Sequence, residues 1–347
     1  MQLRTIKNCI LKIIPFCAYW MGIDAIFYFL NSRCKRILTF HNVLPDEMFN
    51  RESSVLSDSE SSFRNKIRML KKEWRFSVDL NDPATLTVTF DDGFVNEAEI
   101  ACRILQEEGN IPAILFAVGD LIGEKDPMKA PAVDLITHWY ALAPNGDYHI
   151  PAQGALPDTR FMLTPENRLE TWIRVLRPLY VIDSAAKGKC LLAALDALYP
   201  LSNIFAKLNS EYLRLRLTGV SESQIAELYS RGWKVGSHSN SHYQLSALGY
   251  EEQKRDIFPV REYMKDVVFS YPYGNLDAVS DMTRETVKKA GYIGAVSNMP
   301  NGGGLNSKFF LPRFALPDKC DKYRLHFYLS GLETFLRTGK LLPVIRI

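Results

Sequence analysis

An α/β fold built on parallel strands is what this sequence predicts, and three observations carry the prediction. Seven strand-like runs alternate with helical patterns along most of the chain. Two of those runs end in chemistry-bearing residues, Asp91-Asp92 and His238 with His242, and strand exits are where parallel-stranded folds keep their sites. The size, 347 residues of which 47% are hydrophobic, allows one elaborated domain or a domain with a substantial insertion.

The strand-like runs fall at residues 36–41, 85–90, 113–118, 233–238, 266–271, 292–297 and 309–316, a number that suits a barrel. Between them, Phe63, Ile67, Leu70 and Trp74 recur at helical spacing after a Ser- and Asp-rich start. Ala98, Ala101, Cys102 and Leu105 repeat such a face ahead of Gly109, a natural stop. Ser221-Glu-Ser-Gln224 has the form of a capping box, opening a helix that presents Ile225, Leu228 and Tyr229 and ends near Gly232. Strand, helix, strand order implies right-handed crossovers.

Residues 124–220 break this rhythm. They lack strong strand runs but hold a helix start at Thr164-Pro165, an apolar face at Leu169, Trp172, Ile173 and Leu176, and another at Cys190, Leu191, Ala194 and Leu198. They read as a helical insertion in a domain spanning 36–320, flanked by an N-terminal apolar segment (1–35) and a C-terminal amphipathic tail (321–347).

The first segment is almost wholly apolar over residues 10–30, behind Arg4 and Lys7, yet contains Lys12, Pro15, Gly22 and Asp24. An unpaired Asp24 at a bilayer centre would cost roughly 2.5–3.5 kcal/mol. An interfacial helix, or one packed on the protein's own core, fits better than a span. The C-terminal tail, with Phe327, Leu332, Phe335 and Leu336 among Arg324, Arg337 and Lys340, is a candidate for the same surface. The 42 basic and 39 acidic residues nearly balance, and no basic stripe interleaves with aromatics, which argues against nucleic acid as a partner. Six cysteines lie scattered without Cys-x-x-Cys spacing, fitting reduced thiols in the cytoplasm, with peripheral contact at the inner membrane.

Asp92, His238 and His242 form a ligand set that suits one divalent ion and leaves coordination positions open. The neighbouring Asp91 is then the general base, provided that both carboxylates reach one pocket past the strand end, where Gly93 permits a tight turn. Asp-Asp-Gly by itself also suits a plain turn, and the histidines suit surface or helix-capping positions; their conjunction favours a site.

Thr89-Phe-Asp-Asp-Gly93, His238-Ser-Asn-Ser-His242 and Ser270-Tyr-Pro-Tyr-Gly274 resemble, in order, the first three motifs of the polysaccharide deacetylase family, defined by the NodB homology domain. The resemblance implies a distorted (β/α)7 barrel and metal-dependent removal of an N-acyl group from an amino sugar. It also implies a groove lined by Pro272 and Tyr273, with the Tyr273 backbone N–H holding an oxyanion. The sequence departs from the family twice. Ser270 stands where an arginine usually orients the base; Arg313 is the proposed replacement, against the reading of a surface salt bridge. The late histidine that protonates the leaving amine is absent. His41, in a Phe-His-Asn-Val segment similar to that of permuted family members, is the proposed general acid, against a structural role. His138 is structural or substrate-facing.

The expectation is therefore a deacetylase of a polysaccharide or lipid-linked glycan, using zinc with cobalt, nickel or manganese as alternatives. A deformylase or amidase acting on a lipid-linked sugar is its near variant. The contrasting expectation is a catalytically inactive module of the same fold that binds a glycan or a protein partner.

Overall fold

Strands covered on both faces should be buried along their whole length, and β1 (Arg36–Phe40), β5 (Thr85–Asp92) and β6 (Ala113–Ala117) are buried at every residue. The computed structural model describes residues 13–49, 57–184, 190–259, 261–305, 307–317 and 320–347. Ahead of β1 come helices α1 (Ile13–Trp20) and α2 (Ile23–Leu30). Between β1 and β5 lie β2 (Asn42–Leu44), β3 (Ser57–Ser59), α3 (Glu60–Leu70) and β4 (Arg75–Phe76). A π-helical turn, Glu97–Ala101, runs into α4 (Cys102–Glu107) before β6. Helix α3 buries Phe63, Ile67 and Leu70, as their spacing predicts, and is capped by Ser59.

The insertion follows: α5 (Ala132–Leu142), β7 (Gly146–Ile150), β8 (Thr159–Leu163), α6 (Arg168–Thr171), a π-turn (Trp172–Leu176), α7 (Arg177–Ser184), α8 (Cys190–Leu198), α9 (Leu201–Phe205) and α10 (Ser210–Leu217). The chain then returns through α11 (Glu222–Ser230), β9 (Lys234–Ser237), α12 (Tyr250–Ile257), β10 (Phe269–Ser270), α13 (Asp281–Lys289), β11 (Ala295–Val296) and β12 (Phe314–Ala315). Helices α14 (Lys322–Leu329) and α15 (Leu332–Thr338) close it. The Ser221–Gln224 capping box is present at the start of α11.

The central sheet runs β12-β1-β5-β6-β9, all parallel. Strands β10 and β11 pair in parallel, and a bridge from Val296 to Leu311 joins β11 to the segment that continues into β12. The seven predicted runs thus form one arc, β10 through β11, β12, β1, β5 and β6 to β9. Closure into a barrel is not seen. Among the described residues no backbone ladder joins β9 to β10; the seam is held instead by close packing, since a Cβ on Gly236 would come within 3.1 Å of the Val268 carbonyl oxygen. The last three runs are also shorter than their sequence suggests, and in the last one Pro312 interrupts the pairing between Leu311 and Phe314.

The insertion is not purely helical. Strands β7 and β8 form an antiparallel hairpin whose half-exposed, charge-bearing residues give little apolar alternation to read. The apolar face proposed around Leu169 is also wrong in part: Leu169 and Ile173 are 59% and 53% exposed, whereas Leu176 is buried. The π-turn widens the helix there and shifts its phase, so regular spacing misassigns the inward side. Trp139, Tyr140, Leu176, Tyr180 and Leu191 form a core that runs on to Phe94, Val118 and Leu121 beside the sheet. The exit of the insertion clasps the end of β5: Val220 N–H donates to Gly93 O (3.0 Å) and Val95 N–H to Thr218 O (3.0 Å).

Helices α1 and α2 are bent by 78° about Gly22, and no single helix among the described residues is long and apolar enough to cross a membrane. Asp24 is not unpaired: it is buried, with Oδ2 3.4 Å from Nδ1 of His326 on α14. The terminal segments do share a surface. Phe16 packs on Tyr323 and Phe27 on Phe335 with ring centroids 5.1 and 5.0 Å apart, while Ile13, Trp20, Met21, Phe29 and Leu336 remain exposed. Arg4, Lys7 and Lys12 lie outside the described residues.

The return of the insertion to the sheet leaves no room for a side chain at Gly219, where a Cβ would sit 1.7 Å from the Leu121 carbonyl oxygen. Gly219→Ala is expected to destabilise the chain by about 1–3 kcal/mol, read as a lower urea midpoint with an unchanged slope.

Candidate active site

Strand β5 delivers Asp91 and Asp92 to its exit, where Asp92 lines the cavity and Asp91 lies buried beside it, within electrostatic reach of the lining residues His238 and His41. In a strand, neighbouring side chains face opposite ways. Asp91 turns inward and is fully buried, whereas Asp92 forms part of the wall of a cavity of about 350 Å³. Asp92 has φ 93°, in the left-handed region, and Gly93 follows with φ 84°. A Cβ on Gly93 would lie 2.7 Å from that of Ala117, so only glycine completes this turn. Glu97, buried in the π-helical turn, accepts from the Gly93 N–H (2.9 Å) and fixes the turn from behind. Burial, with the Asp92 charge nearby, pushes the Glu97 carboxyl well above its usual range.

His238 directly follows β9 and continues its ladder, its N–H donating to Ala117 O at 2.9 Å. Its Nδ1 donates to Ser270 O (2.9 Å), which leaves the Nε2 lone pair facing Asp92 Oδ1 at 3.7 Å. His242 Nε2 lies 3.3 Å from the same oxygen. One ligand atom from each of Asp92, His238 and His242 fits within a 4.8 Å span, a cluster able to coordinate a divalent ion. The donor chemistry and the fixed His238 tautomer fit such an ion; the buried His242 Nδ1 has no hydrogen-bond partner among the described residues.

Burial pulls His238 down to about 4, so it is neutral and able to ligate at neutral pH. For His242, burial acts in the same direction, but the hydrogen bond to Asp92 outweighs it and holds the imidazole above its ordinary value. Burial raises Asp92, yet the hydrogen bond and charge of His242 carry it well below the carboxylate range. The loop bearing the histidines is anchored by α12: Asn240 N–H donates to Asp256 O and Ser241 N–H to Asp256 Oδ1, both at 2.8 Å.

Asp91 is gripped by Arg313. Nη1 donates to Oδ1 at 2.7 Å and Nη2 to Oδ2 at 2.6 Å, and neither side chain is exposed to solvent. Ser270 Oγ donates to Asp91 Oδ1 (3.1 Å) from the position that the third motif usually gives to arginine. Burial raises the Asp91 pKa, but Arg313 and then His238 more than offset this and hold it low. Arg313 further donates to Ser297 O through Nε (3.0 Å) and to Asn298 Oδ1 through Nη2 (2.6 Å). Asn298, which sequence reasoning missed, donates in turn to Tyr273 O at 3.2 Å. Tyr273 has φ 63°, and among the described residues its N–H has no acceptor. Pro272 O accepts from Gly274 N–H (2.8 Å), tightening the same turn.

His41, past the end of β1, is on the cavity wall with Asp92, His238, His242 and Tyr273. The insertion contributes further lining: Val133, Asp134 and Thr137 of α5, Trp172, Arg177 of α7 and Arg216 of α10. No motif marks these residues in the sequence; Arg216 sits in an alternating Leu-Arg-Leu-Arg-Leu run and pairs inward with Asp134 at 2.8 Å. His138 is structural. It is buried, with Nδ1 2.7 Å from Asp134 O and Nε2 3.0 Å from Tyr212 Oη.

Arg313→Met, which strands the buried Asp91 charge, is expected to cost about 3–5 kcal/mol of stability. Combining it with Asp91→Asn should recover part of that loss in a double-mutant cycle followed by urea unfolding. His138 supplies a pH dependence. Burial, reinforced by the Arg216 charge, lowers it to about 3, whereas the unfolded chain takes up the proton below about pH 6.5. Its contribution is complete above about pH 6.5 and is lost as pH falls through that window, by up to about 1.4 kcal/mol per pH unit. Urea midpoints at about pH 7 and about pH 4.5 should differ less in His138→Gln than in the wild type.

Residues 194–295 match the family model described as polysaccharide deacetylase, a segment that contains both histidines and the Ser270–Gly274 turn. No curated protein matches in sequence. Among solved structures, the chain is similar to the Streptococcus pyogenes deacetylase PplD in complex with acetate, at 12% identity and TM-score 0.50, covering 84% of this chain and 96% of that one. It also aligns with BC0361, a polysaccharide deacetylase from Bacillus cereus (14% identity, TM-score 0.48, 85% and 68% covered). A third match is IcaB from Ammonifex degensii (15% identity, TM-score 0.46, 86% and 97% covered). The segment that bears both histidines and the Ser270–Gly274 turn thus matches the polysaccharide deacetylase model, and the fold of the chain is similar to that of the Streptococcus pyogenes deacetylase.

Proposed function

We propose that the chain is a divalent-metal-dependent hydrolase that removes an N-acetyl or other small N-acyl group from an amino sugar of a polysaccharide or lipid-linked glycan. The Asp92, His238 and His242 cluster, opening on a single cavity next to the arginine-clamped Asp91, is the observation that carries this reading. A divalent cation held by those three, zinc by preference and otherwise cobalt, nickel or manganese, would acidify a neighbouring water and polarise the acyl carbonyl.

Asp91 takes the proton of the attacking water. Arg313 keeps this carboxylate ionised and fixed, which lowers its basicity, and an acidified water needs only a weak base. The unpaired N–H of Tyr273 donates to the oxyanion as it forms, with Pro272 and Gly274 holding that turn in shape. His41, whose imidazole makes no hydrogen bond among the described residues, protonates the departing amine. The products are a carboxylic acid and a free amine on the sugar. For an N-acetyl substrate the acid is acetate, the ligand in the Streptococcus pyogenes deacetylase structure. The exposed apolar residues of α1 and α2 support peripheral contact with the inner membrane from the cytoplasmic side, which brings lipid-linked sugars within reach.

One observation favours the second reading, an inactive glycan- or partner-binding module. Asp91 is fully buried and spends both oxygens on Arg313, as a purely structural ion pair would. Turnover separates the two. Release of acetate from N-acetylated oligosaccharides or polyprenyl-linked amino sugars is expected to stop on chelation and return with added zinc. Asp91→Asn should lose at least about 10²-fold in kcat while still binding one metal by elemental analysis, and His238→Ala should lose both. Turnover retained in Asp91→Asn would overturn the assignment of the base, and turnover indifferent to chelation would overturn the role of the metal.

A further inference from the structure

We propose that the cavity wall built by the insertion is a subsite for an anionic group, a carboxylate or a phosphate ester, carried by the same glycan as the scissile N-acyl group. This rests on the hydrolase reading above and adds a substrate class to it. Arg177, half-buried on α7, lines the cavity and has no hydrogen bond or ion pair among the described residues. Arg216 is 2% exposed and spends only Nη2 on Asp134; its Nε and Nη1 are buried without an acceptor. Those two atoms are sealed from the cavity, so Arg216 contributes its charge to this wall, and the half-buried Arg177 is the guanidinium that a ligand can reach. The Arg216 guanidinium is held in place, 4.8 Å over the Phe94 ring.

The local charges point the same way. Asp134 answers Arg216, and Asp92 faces the two histidines of the cation cluster, so Arg177 is the charge on this cavity left without an opposite among the described residues. Planar guanidinium donors match the oxygens of carboxylates and phosphates better than they match isolated hydroxyls. Trp172, stacked on Tyr140 with centroids 5.4 Å apart and planes at 9°, lines the same cavity and offers an apolar surface to a sugar ring. The insertion therefore supplies the selective wall of a cavity whose other side carries the chemistry.

The test is equilibrium binding by titration calorimetry to the full chain in a phosphate-free buffer, with N-acetylglucosamine, N-acetylglucosamine 1-phosphate and a glucuronate-containing N-acetylated disaccharide as probes. At least one anionic probe is expected to bind about tenfold tighter than the neutral sugar. Arg177→Gln should abolish that preference, and Arg177→Lys should keep part of it. Preference for the phosphate probe alone assigns the subsite to sugar phosphates, and preference for the uronate alone assigns it to acidic polysaccharide. Equal affinity for all three probes, or a preference that survives Arg177→Gln, would overturn the proposal. Binding needs no turnover, so a chain that prefers the anionic probe but releases no acid refutes the hydrolase reading and leaves the subsite standing.

Discussion

The pairing of Arg313 with Asp91 is the interaction on which the rest of the site depends. Both side chains are sealed from solvent, so each would be intolerable without the other; a buried ion pair broken on one side costs about 3–5 kcal/mol. Arg313 reaches Thr89 and Asp91 on β5, Ser270 on β10 and Ser297 with Asn298 beyond β11. One guanidinium thus draws the exits of three strands towards the segment that bears it. This matters most where the sheet is weakest, since among the described residues no ladder joins β9 to β10 and the last three strands are only two residues long or interrupted. Side-chain hydrogen bonds at the strand exits replace part of what backbone pairing leaves undone.

Strain gathers at the same end of the sheet. Five non-glycine residues among those described have positive φ, and four of them are Asp92, Ser239, His242 and Tyr273. Each conformation costs about 1–3 kcal/mol and persists only when its surroundings enforce it. Here Glu97 holds the Asp92 turn, Asp256 holds the loop around Ser239, and Asn298 holds Tyr273. At its strained position Asp92 faces the two histidines, whereas Asp91, one residue earlier in the strand, faces Arg313. Two adjacent carboxylates thereby acquire different neighbours, one set of imidazoles and one guanidinium.

The insertion completes the cavity. Its core is continuous with residues beside the sheet, and its exit hydrogen-bonds directly to Gly93 next to the cluster. The resulting space, about 350 Å³, is at the small end of ligand pockets, which span about 300–1,000 Å³. One wall carries the Asp-His-His cluster and His41; the other carries Trp172 and the two arginines.

Much of this was legible in the sequence, for identifiable reasons. Apolar runs fully buried on both faces announce themselves, and so do motifs whose residues are neighbours along the chain: the Asp91-Asp92-Gly93 turn, the His238 and His242 spacing, the Ser221 capping box. The hairpin in the insertion was not legible, because its strands are half-exposed and carry no alternation, and the π-turn at Trp172–Leu176 misled a reading based on regular helical spacing. Nor does the sequence indicate that Asp92 adopts a left-handed backbone angle, in a turn that Ala117 and Glu97 hold through Gly93. By itself the sequence determined where the strand runs lie along the chain and which carboxylates and histidines come to their exits. Only the tertiary structure decided that Arg313 forms a buried pair with Asp91 rather than a surface salt bridge, that Asp24 has a partner in His326, and that Arg177 and Arg216 share a cavity with the cluster. Such pairings are fixed by packing of distant segments, and spacing along the chain carries no record of them.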